Sequence, residues 1–174
     1  MIGRPKNLNK DHYFVSYINK AIGDDLIKSL REVGNDTLRL IEDLTEEHAK
    51  FAYAENKWTI KQVIRHIADA ERVFAYRAFR FSRKDKTPLS GFDEDFYAES
   101  DNSDKLSLKE IKNEYVEVRQ ATMALFSTMD PDVLDFEGIA SDLPITPRML
   151  GWTIVGHNTH HLNVIRERYL AGIL

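Results

Sequence analysis

Three of the six histidines in this chain fall within the stretch Gly156-His157-Asn158-Thr159-His160-His161-Leu162. His157 and His161 are four residues apart, and on an α-helix positions i and i+4 stack on one face. Leu150, Ile154, His157, His161, Val164 and Ile165 share one stripe of such a helix, so two imidazoles interrupt a core-facing line. Two imidazoles one turn apart are a simple way for a helix to hold a transition metal. The alternative is a pair of core histidines, each satisfied by a neighbouring carboxylate or carbonyl. His160 points about a quarter turn away from His161. Either it supports the same site, or it faces solvent or a partner.

A metal needs further ligands, and His66 is the candidate. It lies at the edge of the apolar stripe of another helix. Three neutral imidazoles with one open position make a catalytic type of zinc site. A water bound there has its pKa lowered from about 15.7 toward about 7. Imidazole ligands suit zinc or nickel first, with iron or manganese as alternatives, because the ligands alone do not select the metal. Glu71 falls on the inward side of the His66 helix, between Ile64 and Ala78. A buried carboxylate is costly unless paired. It either forms a structural salt bridge with an arginine from a neighbouring helix or serves the site. Glu71 and Asp69 are the candidate catalytic carboxylates, as base or as orienting groups. His12 has no partner at ligand spacing and reads as a surface residue. His48, in Thr45-Glu46-Glu47-His48, reads as solvated.

The chain's 174 residues suit one domain, taken here as 1–174 with an N-terminal arm over 1–14. It is 43% hydrophobic and 30% charged, with a net charge of −4. The charges are interspersed, so there is no basic footprint for nucleic acid or a membrane surface. No apolar run is long enough to span a bilayer, and Met1-Ile-Gly-Arg-Pro-Lys lacks the pattern of a secretory leader. A cytoplasmic location is the expectation. The cysteine count is zero, which removes disulfides, thiolate-ligated zinc and cysteine nucleophiles together.

Hydrophobic periodicity supplies the elements that would position these residues. Ile18, Ile22, Leu26, Leu30, Val33, Leu40 and Leu44 predict one amphipathic helix over Val15–Leu44, or two pieces broken near Gly34-Asn35. Thr59 with Gln62 forms a capping box for a second helix reaching Ser82. Residues 83–105 lack helical period, and Pro88, Gly91 and Asp93-Glu94-Asp95 mark a long loop. Its Leu89, Phe92, Phe96 and Tyr97 suit either a wall over a site or a simple cover for the core. Ser107 and Glu110 cap a third helix with Leu108, Ile111, Tyr115, Val118, Leu125 and Met129 as its seam. Asp130-Pro131 ends that helix. After a second loop, Thr146-Pro147 opens the histidine-bearing helix, which runs to about Tyr169. No strand-like alternation occurs. The expected fold is all-α: a four-helix bundle with a long connection between helices two and three, which could leave those two helices parallel.

Two segments carry a family resemblance. Trp58-Thr59-Ile60-Lys61-Gln62-Val63-Ile64-Arg65-His66-Ile67-Ala68-Asp69-Ala70-Glu71 resembles the W-(S/T)-x-x-(E/Q)-x-x-x-H-(I/L)-x-(D/H)-x-E segment of the DinB/YfiT-like family. Gly156 to Leu162 resembles that family's H-x-x-H-H segment on its last helix. Order and separation agree, and the resemblance covers nearly the whole chain. It implies a four-helix bundle, often dimeric, with a divalent metal on His66, His157 and His161. Members of the wider superfamily include thiol transferases and a thiol-dependent isomerase that use low-molecular-weight thiols. Others are described only as metal-dependent hydrolases or damage-induced proteins.

Two functions of different class follow. One is a metalloenzyme that activates water or a small thiol for attack on a small-molecule electrophile. The other is a non-catalytic stress-response bundle that the metal staples together. A pocket above an open ligand position favours the first, and a sealed site favours the second. Val73 and Tyr76, outside the main stripe of helix two, add to the family tendency toward a homodimer.

Overall fold

The computed structural model describes residues 1–9 and 11–172. Four long helices form the bundle: α2 (Leu26–Glu42), α3 (Ile60–Ser82), α5 (Leu108–Ser127) and α6 (Pro147–Val164). Two short ones, α1 (Val15–Ile18) and α4 (Glu94–Ser100), precede α2 and α5. No described helix is long and apolar enough to cross a membrane.

The long helices begin where local chemistry places them. Thr59 and Ser107 each accept from the third helical N–H, and Gln62 and Glu110 return the bond to complete two capping boxes. Thr146 caps α6, with Pro147 in the first turn. Pairing across the bundle fixes the directions. Lys61 reaches Leu106 O, Glu71 meets Arg119, and Arg72 meets Glu114, so α3 and α5 ascend together. Leu26 packs at Gly151 and Thr37 bonds Asn158, so α2 and α6 also run parallel. The other adjacent pairs are antiparallel: Thr37 and Gly34 on α2 meet Tyr115 and Arg119 on α5 in reverse order. The long 83–107 connection is what allows α3 and α5 to be parallel.

The structure differs from the periodicity in four places. The first helix ends at Ile18, and residues 19–25 lead into α2; the break is not at Gly34-Asn35. Gly23 takes a positive φ of 73°, and Asp25 then caps α2 by accepting from Lys28 N. Ile18, Ile22 and Leu26 keep helical spacing across the break, so the pattern hides it. Within residues 83–105, Asp93 caps the extra helix α4. The α5 seam continues through Arg119, Thr122 and Phe126, all buried, and Leu125 is only half-buried. Lastly, a hairpin forms where no strand was expected: β1 (Gly138–Ala140) pairs antiparallel with β2 (Leu143–Ile145). Its turn residues, Ser141 and Asp142, both have positive φ. Leu89 of the long connection joins the hairpin through Leu89 N–Ile139 O at 2.9 Å and Ser141 N–Leu89 O at 3.0 Å.

The arm is not loose. Ile2 is buried, Trp152 Nε1 donates to Gly3 O at 2.9 Å, and the Arg4 guanidinium bonds Gly23 O, Ile18 O and Ala21 O. These contacts hold α1 against α6. The approach is closest at Gly156, where an added Cβ would stand 1.8 Å from Tyr17 O. Backbone cannot yield as a side-chain tip does. Gly156→Ala is therefore expected to lower unfolding free energy by about 2–3 kcal/mol, the upper part of the overpacking range. Urea denaturation measures it, and an unchanged midpoint would refute the tight contact.

Candidate metal centre

His66 comes from the second turn of α3, and His157 and His161 from successive turns of α6. Their Nε2 atoms converge. His157 Nε2 lies 3.0 Å from that of His66 and 3.2 Å from that of His161. Ligand atoms of all three fall within 4.8 Å of one another. His66 and His157 are buried, and His161 is half-buried.

Hydrogen bonding alone serves this arrangement poorly. One nitrogen of His157 offers either a single lone pair or a single N–H, yet it faces two nitrogens. A cation resolves the conflict by accepting all three lone pairs. Tetrahedral nitrogen ligands about 2.0–2.1 Å from zinc stand roughly 3.3 Å apart, close to the two short separations seen. The residues present therefore fit a metal. Their protonation suits it as well. Burial lowers the His66 pKa to about 4, with the His160 charge adding to the effect. Burial and then the neighbouring imidazoles push His157 and His161 well below the ordinary value. Neutral imidazole is the ligand form.

Aromatic neighbours pack against two of the three rings. The Trp58 ring stands 4.9 Å from His66, and Trp58 O accepts from Tyr169 Oη in the π-helical turn Ile165–Tyr169 that continues α6. Tyr17 of α1 stands edge-on to His157 at 5.2 Å, and Phe74 at 5.9 Å. His160 is half-buried, 5.7 Å from the Tyr17 ring, and its Nε2 does not join the cluster. His12 bonds Pro144 O at 2.7 Å and does not join the cluster. His48 is exposed.

Behind His157 the core is polar. Glu71 is 2% exposed and Arg119 is 5% exposed. Arg119 Nε and Nη2 donate to the two Glu71 oxygens at 2.9 and 2.8 Å, and Nη2 also donates to Asn158 Oδ1 at 2.8 Å. Tyr115 Oη donates to Asn158 Oδ1 at 2.7 Å, and Asn158 Nδ2 donates to Thr37 Oγ1 at 3.0 Å. One network thus joins α2, α3, α5 and α6 at the residue next to His157. It sets the rotation of α6 and so the direction of its imidazoles. Burial opposes the Arg119 charge, but Glu71 more than restores it and the pKa ends raised. Glu71 is committed to this pair. Asp69 bonds Arg72 at 2.9 Å on the α3–α5 side, and neither carboxylate lines the cavity beside the histidines.

That cavity, of about 370 Å³, is walled by Phe14, Tyr17, Phe74, Phe92 and Leu143, with His66 and His157 on one side. A second cleft of about 290 Å³ opens on the other side, where His160 and His161 meet Trp58, Lys57 and Arg168. The centre is therefore not sealed. Phe92 and Glu94 show that the long connection forms part of the wall. Sequence reasoning passed over Arg77, which also lines the cavity. It follows His66, Ala70 and Phe74 on one face of α3, and that spacing was the available signal.

A helical bundle with three convergent imidazoles beside an open cavity offers a site for a metal ion. The chain belongs to the DinB superfamily, whose family model matches residues 29–165. Among similar proteins, "Putative metal-dependent hydrolase BcerKBAB4_2443" of Bacillus mycoides (strain KBAB4) is 28% identical over 91 residues, 52% of each chain. "Putative metal-dependent hydrolase YfiT" of Bacillus subtilis (strain 168) is 30% identical over 87 residues, 49% of this chain and 48% of that one. The chain thus spans about half the length of the curated relatives it matches. A solved structure of YfiT from Bacillus subtilis, described as a probable metal-dependent hydrolase with an unusual four-helix bundle topology, shares the fold. Its TM-score is 0.74 at 21% identity, over 97% of this chain and 93% of that one.

Proposed function

We propose that this protein is a metal-dependent hydrolase of a small molecule, with one divalent metal on His66, His157 and His161. The observation that carries the reading is the convergence of three Nε2 atoms at the edge of an open cavity. A metal there, zinc or nickel by preference for imidazole, supplies a Lewis acid and brings the pKa of a bound water or thiol toward neutrality. The chain's residues do the rest. Burial keeps the imidazoles neutral, Trp58 and Tyr17 pack against the His66 and His157 rings, and Phe14, Phe74 and Phe92 exclude bulk water from the substrate. In this reading Glu71 is a positioning residue that acts through Arg119 and Asn158, and Asp69 takes no part.

Thiol transfer is the second reading, and the cavity has room for a cosubstrate. About 370 Å³ holds more than a water, and small-molecule sites of ~300–1,000 Å³ are usual. Since the chain has no cysteine, the thiol would come from a cosubstrate. The test is to assay zinc- and nickel-loaded protein on esters and amides, and on generic electrophiles with a small thiol. We expect ester or amide turnover that stops on chelation and in His157→Ala. Activity that survives both refutes the metal mechanism.

The same reading includes a homodimer through the α3–α5 face. Tyr76 and Phe79 are 50% and 42% exposed there. With Ala75, Val118 and Leu125 they line a shallow apolar groove, whereas Val73 is half-buried. Light scattering at micromolar concentration is expected to give twice the 20.2 kDa chain mass, and Tyr76→Glu the single mass. A monomeric wild type removes the claim.

A further inference from the structure

Arg77 is 2% exposed and yet lines the cavity. Its Nη2 donates to Ser90 O at 2.8 Å and to Ser141 Oγ at 2.9 Å. Both partners are neutral. Nε and Nη1 make no hydrogen bond to the described residues, and none of their carboxylates lies within ion-pair distance of the guanidinium. The contrast with Arg119 is direct. That buried guanidinium has Glu71 against it. Burial lowers the Arg77 pKa with nothing charged to offset it. A guanidinium partly withdrawn from water and lacking a counter-anion gains from acquiring one. Nη1 and Nε keep unused donors, each able to give a carboxylate a charge-assisted hydrogen bond.

Its setting suggests what the anion is attached to. Arg77 Cα lies three turns from His66, roughly 16 Å along the axis at about 1.5 Å per residue. Ala70 and Phe74 occupy the face between them, with Phe14, Tyr17 and Phe92 opposite. The Phe92 ring stands 6.0 Å from the Arg77 guanidinium. The cavity is thus apolar along its length, cationic at one end and metal-ligating at the other. Glu94, at the rim, would repel a second negative charge. These features favour a singly charged carboxylate over a dianionic phosphate.

We propose that Arg77 anchors the carboxylate of a small substrate whose apolar or aromatic body lies along Phe74 and whose reacting end faces His66 and His157. The proposal rests on the functional reading above, since it gives that cavity its substrate class. It makes Arg77 a specificity-determining residue and not a catalytic one.

Calorimetry with 3-phenylpropionate and its neutral analogue 3-phenylpropionamide tests it, on zinc-loaded and zinc-free protein. The acid is expected to bind wild type roughly 10- to 100-fold more tightly than the amide, the worth of a charge-assisted hydrogen bond. That preference should persist without zinc. Arg77→Gln should lose it while keeping zinc content, and Arg77→Lys should keep part of it. Equal affinities, no binding of either probe, or an undiminished preference in Arg77→Gln overturns the anchor. So does a preference that needs zinc, because the carboxylate would then be going to the metal. The acid-against-amide comparison within wild type holds even if Arg77→Gln fails to fold. Loss of the metal reading would show separately, as protein that takes up no zinc yet still prefers the acid.

Discussion

Wild-type protein is expected to carry one equivalent of divalent metal per chain, and His161→Ala to lose it on dialysis. His161 is the suitable position for the substitution. It is the least buried of the three, so truncation opens little new cavity in the core. Its loss leaves only His66 and His157, which is a weak pair for a labile divalent ion. Removing a group that merely orients a ligand typically costs about 10- to 100-fold in affinity, and removing a ligand itself costs more. Elemental analysis after exhaustive dialysis gives the stoichiometry, and competition with a chromophoric chelator gives the affinity. His160→Ala is the control. Its ring stands 5.0 Å from that of His161 without joining the cluster, so metal content should be unchanged. Equal metal in wild type and His161→Ala would sink the ligand assignment, and with it the proposed hydrolase.

What the sequence disclosed depended on the length over which a pattern repeats. The α6 histidines were legible because a long amphipathic helix fixes the phase of every side chain, and one turn places His161 above His157. Glu71 was legible for the same reason. A charge on the inward line of α3 had to meet a partner there, and Arg119 of α5 is that partner. Short elements left no such trace. The three-residue strands of the hairpin are too brief for alternation to register. The turn Ser141-Asp142 lacks the Asn-Gly or Asp-Gly that usually announces one. The break before α2 was hidden because Ile18, Ile22 and Leu26 keep helical spacing through it. The α5 seam was misplaced at Leu125 because Arg119 and Thr122, polar in type, occupy the inward line before Phe126. Arg77 was missed for a related reason. An arginine on a core-facing helix line is read as solvated unless a cavity is known to lie beside it.

Glu71→Ala is expected to lower unfolding free energy by about 3–5 kcal/mol, the usual cost of removing one partner from a buried ion pair. The alanine leaves Arg119 charged at 5% exposure, with two donor nitrogens lacking their acceptor. For a chain of this size that is a drop in Tm on the order of 10 °C. The effect should extend to the centre. Arg119 Nη2 also donates to Asn158 Oδ1, and Asn158 is the residue after His157. A guanidinium freed from Glu71 no longer holds α6 in rotation, and metal affinity of the folded protein should fall roughly tenfold, at the lower end of orienting-group effects. The double variant Glu71→Leu with Arg119→Met separates charge from packing. Replacing both members of a buried pair by apolar residues of similar volume is often close to neutral. It should recover at least half of the loss, though not all of it, because Leu30 O and Asn158 Oδ1 lose a donor as well. Thermal and urea unfolding of the two variants beside wild type decide the matter. If Glu71→Ala unfolds within about 0.5 kcal/mol of wild type, as plain surface substitutions do, the pair does not clamp the bundle and the positioning role falls with it.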